Sequence, residues 1–130
     1  MIYKDNSMVK NNIDAALAYY KAMNERNFSQ VETYFDPNIQ FATPLAQLAG
    51  KEAVLGAIKG FMSVAKHVTI KEEFSAGDKV VLIYEVEFPA PIGMIPSVTH
   101  MTFHNGLITR IRLYYDARPF DEAKKQIFQK

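Results

Sequence analysis

The sequence contains no cysteine. That excludes disulfide staples, thiolate nucleophiles and cysteine-based metal sites, and it fits a reducing compartment. An excess of charge is also missing, with 15 lysines and arginines against 14 aspartates and glutamates and a net charge of +1. Such a balance supplies no broad field to gather phosphates or an anionic membrane surface, so neither nucleic acid nor a membrane is expected as a partner. Long apolar runs are absent as well. No stretch approaches the ~18 apolar residues of a membrane span, and the opening segment up to Ser7 has no apolar core of a secretion signal, which predicts a soluble, cytoplasmic protein.

What is present suits one compact unit. With 130 residues, 48% of them apolar, the chain has the size of one domain over residues 1–130 and can bury roughly two-thirds of its unfolded surface. Val9, Ile13, Leu17 and Tyr20 recur at helical spacing on a background of alanine, predicting a first helix that stops near Asn27. Ser29 stands where it could cap a short second helix, with Val31, Tyr34 and Phe35 on its buried side and Asp36-Pro37-Asn38 as its end. Residues 39–43 alternate weakly before Pro44 and predict a short edge strand. A third helix is expected over Lys51 to Val64, with an apolar stripe of Val54, Leu55, Ile58, Phe61 and Met62. Gly56 and Gly60 interrupt it and suggest close packing against a sheet.

From Lys66 onward the period changes from that of a helix to two. Val68, Ile70 and Phe74, then Val80, Leu82, Tyr84, Val86 and Phe88, predict adjacent antiparallel strands joined through Ala76-Gly77-Asp78. A further strand over Ser97 to His104 meets Asn105-Gly106, a strong hairpin signal, and returns as Leu107 to Asp116. Phe120 to Lys130 could add a short C-terminal helix. Three helices with one early strand, followed by four strands in a row, predict an α+β fold: a cone-shaped, curved antiparallel sheet wrapped around three N-terminal helices and enclosing an apolar pocket.

The hairpin turn also suggests which side chains share a face. A regular two-residue turn sets His104 opposite Leu107, so counting back groups Val98, His100 and Thr102 with Thr109, Ile111, Leu113 and Tyr115. The opposite face carries Thr99, Met101, Arg110, Arg112 and Tyr114. Two arginines have no reason to enter an apolar cone, so the His100 face is expected inward, as are Leu82, Tyr84, Val86 and Phe88 of the preceding strand. With Tyr19 and Tyr20 of the first helix, Phe41 and Thr43 of the first strand, and Ile58 and Phe61 of the third helix, these positions form the candidate pocket. Its interior of hydrocarbon and aromatic rings with isolated polar groups is that of a site for a small apolar organic ligand.

Several segments, in order, resemble the nuclear transport factor 2-like superfamily, which includes ketosteroid isomerases and SnoaL-like polyketide cyclases. They are the first helix with its tyrosine, the Val31-to-Phe35 helix followed by Asp36-Pro37, the stretch Phe41-Ala42-Thr43-Pro44, the helix start at Gly50-Lys51-Glu52-Ala53-Val54, and residues 103–108 with Tyr114-Tyr115-Asp116. The resemblance implies an isomerase or cyclase working by proton transfer on an apolar carbonyl or polyketide-like compound. The alternative is a non-catalytic module of the same fold that binds a ligand or a protein, since fold alone does not fix function.

Three residues are catalytic candidates. A buried His100 could be acid, base or hydrogen-bond donor, or a core histidine satisfied by a tyrosine hydroxyl. The resemblance places the isomerase's oxyanion-binding tyrosine at Tyr20, with Tyr19 as competitor. It puts the isomerase's general base at Thr43, and threonine cannot abstract a carbon-bound proton unaided. Asp116 is the nearest carboxylate to the cyclase position. Alternation turns it outward toward Arg112 or Arg118, unless a bulge after Leu113 brings it in to work with His100. The three histidines show no metal-site spacing, so no metal is expected, and the lack of a phosphate loop or dinucleotide fingerprint predicts no cofactor.

The apolar segment Pro89 to Pro96 could be a protein-binding surface or a lid over the pocket. Homodimerisation is expected through the outer sheet face, with Arg112 meeting Glu85 or Glu87 of a second copy.

Overall fold

A computed structural model describes residues 2–122, with side chains from residue 12 onward. Helix α1 spans Ile2–Asn24. Its alanine-rich second half has neither glycine nor proline to interrupt it, and the helix buries Ala16, Tyr19, Tyr20, Ala22 and Met23. The expected stripe is therefore rotated: Ile13 and Leu17 are only half-buried, because α1 touches α2, α3, β3 and β4 rather than one flat surface. Asn24 fastens it to the sheet through a two-way bond to the Val68 backbone, Nδ2 donating at 2.9 Å and Oδ1 accepting at 2.8 Å.

Helix α2 is the single turn Phe28–Glu32, and its N-cap is Asn27, which accepts from the Gln30 amide at 3.2 Å. Ser29 lies inside the helix and instead donates to Asn27 Oδ1, so the expected cap is two residues too late. The chain then goes directly into strand β1, Phe35–Ala42. Phe35 and Asp36-Pro37-Asn38 thus belong to a strand rather than to the end of a helix. Phe35 and Ile39 are buried, so the strand is held by core contacts despite Pro37.

β1 is not an edge strand. A tight turn at residues 43–46 leads to β2, Gln47–Ala49, which pairs antiparallel with β1 and forms the true edge. Helix α3 follows over Lys51–Val64, with Val54, Ile58 and Met62 buried. Gly56 and Gly60 point away from this face, and a methyl group added to either meets nothing within 4 Å. The close packing expected of them does not occur.

The long strands are β3 (His67–Ala76), β4 (Lys79–Glu87), β5 (Met94–His104) and β6 (Leu107–Tyr115). The sheet order is β2-β1-β6-β5-β4-β3. Every pair is antiparallel except β1 with β6, which run parallel, with Phe41 beside Ile111. The sheet is thus mixed rather than wholly antiparallel, because the chain between β1 and β6 makes a long crossover through the helix and the other strands. It is curved and unclosed, and the helices lie in its concave side over a core running from Ala16 to Ile111. Residues 118–122 form a helical turn, and the rest of the expected C-terminal helix lies outside the described residues.

One irregularity reassigns the faces. His104 pairs with Leu107 and Phe103 with Ile108, but Thr102 pairs with Arg110, so Thr109 is an extra residue in β6. Such a bulge shifts the partner strand by one residue and exchanges its two faces. Ser97, Thr99 and Met101 therefore stand opposite Tyr115, Leu113 and Ile111 and point inward. Val98, His100 and Thr102 lie on the outer face beside Tyr114, Arg112 and Arg110, which overturns the inward placement of all three.

Candidate functional site

A cavity of about 180 Å³ lies between α1, α3 and the concave side of the sheet. Helix α1 supplies Tyr19, Tyr20 and Met23, α3 supplies Ala57, Ile58 and Phe61, β4 supplies Tyr84, and β6 supplies Leu113 and Tyr115. Phe41 closes one side. Thr43, Ala46 and Leu48, in and after the turn from β1 to β2, bring the cavity to the surface. A second space of about 20 Å³ lies behind Phe61, Tyr84, Leu113 and Tyr115, lined also by Val86, Phe88, Ile95, Ser97 and Phe120. Phe88 meets Phe61 at 5.6 Å and Phe120 at 5.1 Å, both edge-to-face, which packs that end of the cone with rings.

The polar groups of the cavity are hydroxyls. Thr99, fully buried, donates to Tyr84 Oη at 2.7 Å, and its Oγ1 lies 2.5 Å from the hydroxyl of Tyr20. This chain unites helix α1 with strands β4 and β5, and the Tyr20 and Tyr84 rings lie 5.1 Å apart. Tyr19 packs edge-to-face on Tyr20 at 4.9 Å. Burial pushes all three phenols above their ordinary pKa, because a phenolate here would sit in hydrocarbon, and for Tyr19 and Tyr20 the neighbouring Tyr84 adds to the effect. The side chain of Thr43 is occupied at the rim, where its Oγ1 accepts from the amides of Leu45 and Ala46, both at 3.0 Å.

The structure brings Tyr19, Tyr20, Phe41, Thr43, Ile58, Phe61, Tyr84, Leu113 and Tyr115 to one cavity. Val86 and Phe88 reach only the smaller space. Ile111 is fully buried between Phe41 and Met101 but lines neither space, and Val98, His100 and Thr102 are on the outer face. His100 therefore cannot touch a molecule in the cavity. Asp116 is exposed and held by Arg118, whose Nη2 donates at 2.6 Å and whose Nε donates at 2.9 and 3.1 Å. That guanidinium and the Arg118 amide hold its carboxyl down to about 2. The bulge falls at Thr109 rather than after Leu113, so it turns His100 outward and leaves Asp116 where alternation put it.

Sequence reasoning missed Met23, Ala46, Leu48, Ala57 and Thr99. Met23 carried a signal, since it lies one helical turn beyond Tyr19 and Tyr20. Thr99 did not, because its inward direction depends on the bulge. The segment from Pro89 to Pro96 does not cover the main cavity. Ile92 packs on the core and Ile95 borders the small space.

Among the described residues no three histidine, aspartate or glutamate side chains come together as a metal site. No helix there is long and apolar enough to cross a membrane.

An unclosed, curved six-stranded sheet around helices, with a lined cavity in its concave side, defines a nuclear transport factor 2-like α+β cone. Within that class the chain belongs to the SnoaL-like domain family, which it matches over residues 16–111. It is similar to a crystal structure of a Kribbella flavida protein, at 25% identity and a TM-score of 0.85, with 91% of this chain and 97% of that chain covered. It also shares its fold with a proposed ketosteroid isomerase from the same organism, at 12% identity and a TM-score of 0.76 over 83% of this chain and 79% of that one. A proposed polyketide cyclase from Sinorhizobium meliloti is 20% identical, with a TM-score of 0.72 over 77% and 93%. No curated protein matches the sequence.

Proposed function

We propose that the protein is a binding module whose cavity holds a compact, largely apolar organic molecule. The observation that carries this reading is the cavity itself, with walls almost wholly of hydrocarbon and aromatic rings and hydroxyls as its polar groups. An apolar engineered cavity of about 150 Å³ stays dry and accepts benzene, so one of about 180 Å³ suits a molecule of one or two rings. A four-ring steroid framework is too large unless the walls move.

Holding a ligand fits the site better than abstracting a proton from carbon. A base for that step needs a carboxylate or imidazole within reach, and the described lining has neither. Its phenols cannot substitute, because burial keeps them protonated at neutral pH.

Titrating the protein with indane, a fused two-ring hydrocarbon, and following backbone amide shifts tests the reading. Saturable shifts are expected at Tyr19, Phe61, Tyr84 and Leu113, and they should vanish in Ala57→Trp, which fills the cavity. Indane shifts that never saturate, or that survive Ala57→Trp, would sink it.

We further propose that the outer sheet face binds a second copy of the chain. Rows Phe74-Val81-His100-Arg112 and Ile83-Val98-Tyr114 cross that face, and Phe74 and Tyr114 are 53% and 52% exposed. Arg110 and Arg112 stand on the β6 side, Glu85 and Glu87 on the β4 side. A two-fold axis along β5 keeps each residue's position along the strands, so it lays Tyr114 of one copy over Ile83 of the other and Val98 over Val98, an apolar contact in which the arginines and the glutamates, at opposite strand ends, do not meet.

A further inference from the structure

Away from the cavity, the outer sheet face carries a groove of about 350 Å³ where β2, β1 and β6 lie side by side. Strand register builds it from two rows, Ala49-Gln40-Arg110 and Gln47-Ala42-Arg112. The alanines are too short to fill it, so the long side chains around them enclose space. Arg110 and Arg112 are alternate residues of one strand and share its outer face, with their Cα atoms about 7 Å apart.

Nothing in the fold neutralises this pair. Neither guanidinium makes an ion pair or a hydrogen bond among the described residues, and no acidic side chain lines the groove. The chain's two other arginines are engaged, Arg26 on backbone carbonyls and Arg118 on Asp116. On the β5 side, Thr102 stands beside Arg110 and His100 beside Arg112, so no negative charge enters from there. The side-chain amides of Gln40 and Gln47 are likewise without a hydrogen-bond partner among the described residues. Two like charges held side by side repel, and an anion seated between them reverses that.

We infer that this groove binds a small hydroxylated phosphate monoester, its phosphate between Arg110 and Arg112 and its hydroxyls against Gln40 and Gln47. Guanidinium is a planar fork that pairs bidentately with phosphate. A phosphate monoester has three terminal oxygens and nearly two negative charges at neutral pH, enough to serve two forks at once. A carboxylate has two oxygens and a single charge. A glutamine amide both donates and accepts, which suits hydroxyl groups. The groove lies on the opposite side of the sheet from the cavity, so the inference is independent of what the cavity holds. Two copies that meet along β5 have convex surfaces that diverge toward β1 and β2, which leaves the groove open.

The test follows backbone and glutamine side-chain amide shifts during titration with glycerol 3-phosphate, inorganic phosphate or acetate. Ionic strength is held constant because exposed charges are screened by salt. Glycerol 3-phosphate should give saturable shifts at Gln40, Gln47, Arg110 and Arg112, with inorganic phosphate binding more weakly and acetate weaker by at least about 10-fold. Arg110→Lys and Arg112→Lys keep the charge and remove the fork. Each should weaken glycerol 3-phosphate by about 5- to 10-fold. Both are checked for folding by circular dichroism, and either one suffices if the other misfolds. Shifts that never saturate, or lysine variants that bind as tightly as wild type, would reduce the arginines to a general positive field and overturn the site. Inorganic phosphate or acetate binding as tightly as glycerol 3-phosphate would overturn the ester as its ligand.

Discussion

Three tyrosines define the chemistry at the scale of single residues, and their burial has a consequence outside the cavity. Tyr19, Tyr20 and Tyr84 are each raised above the ordinary phenol value of 10.0, chiefly by desolvation. In the unfolded chain they ionise near that ordinary value, so above about pH 10 the unfolded state holds fewer protons than the folded one. Stability conferred by keeping them neutral is therefore complete below pH 10 and is lost as pH rises. Each contributes a slope of about 1.4 kcal/mol per pH unit, up to about 4 kcal/mol per unit for the three together. In an alkaline titration, the phenolate absorbance of three of the seven tyrosines should appear only together with loss of the circular-dichroism signal. Smooth ionisation of all seven in a still-folded protein would contradict this burial.

Among the elements, α3 has room for improvement and β6 carries the decisive irregularity. Gly56 and Gly60 lie on the exposed side of α3 with open space where a Cβ would go. Glycine inside a helix costs backbone entropy that alanine does not. Gly56→Ala and Gly60→Ala should each raise the unfolding free energy by about 0.5–1 kcal/mol in urea denaturation, without altering ligand binding. A loss of stability in both variants would mean that the helix meets a partner on that side. In β6 the extra residue Thr109 turns its hydroxyl back to the Thr102 carbonyl at 3.2 Å. By shifting the register it brings Thr99 under Tyr20 and Tyr84 and sends His100 to the surface. The hydroxyl chain of the cavity thus depends on one inserted residue well outside it.

At the scale of the whole molecule, the concave side of the sheet is filled by helices, and among the described residues no element covers the convex side. That side combines exposed Phe74 and Tyr114 with half-buried Val81, Ile83 and Val98, an apolar surface of the kind that marks an interface. Light scattering should give about twice the 14.8 kDa chain mass at micromolar concentration. Replacing Val98 by Glu should return the monomer, while indane binding persists because Val98 does not reach the cavity. A wild-type mass of one chain across the concentration range would dispose of the dimer.

The sequence alone determined what depends on local pattern. The spacing of Val54, Ile58 and Met62 defined α3, and the alternation of Leu82, Tyr84, Val86 and Phe88 gave the inward face of β4. Asn105-Gly106 located the hairpin, and apolar periodicity with the resembling segments pointed to the α+β cone. These features were legible because hydrophobic period and turn chemistry act over a few residues. Three matters were decided only by tertiary structure. β1 became a central strand when β2 and β6 closed on its two sides, which nothing within residues 35–42 announces. Gly56 and Gly60 proved to face solvent, since a glycine carries no pattern of its own. The bulge at Thr109 exchanged His100 for Thr99 in the interior, because strand faces alternate with period two and a single extra residue reverses every side chain beyond it.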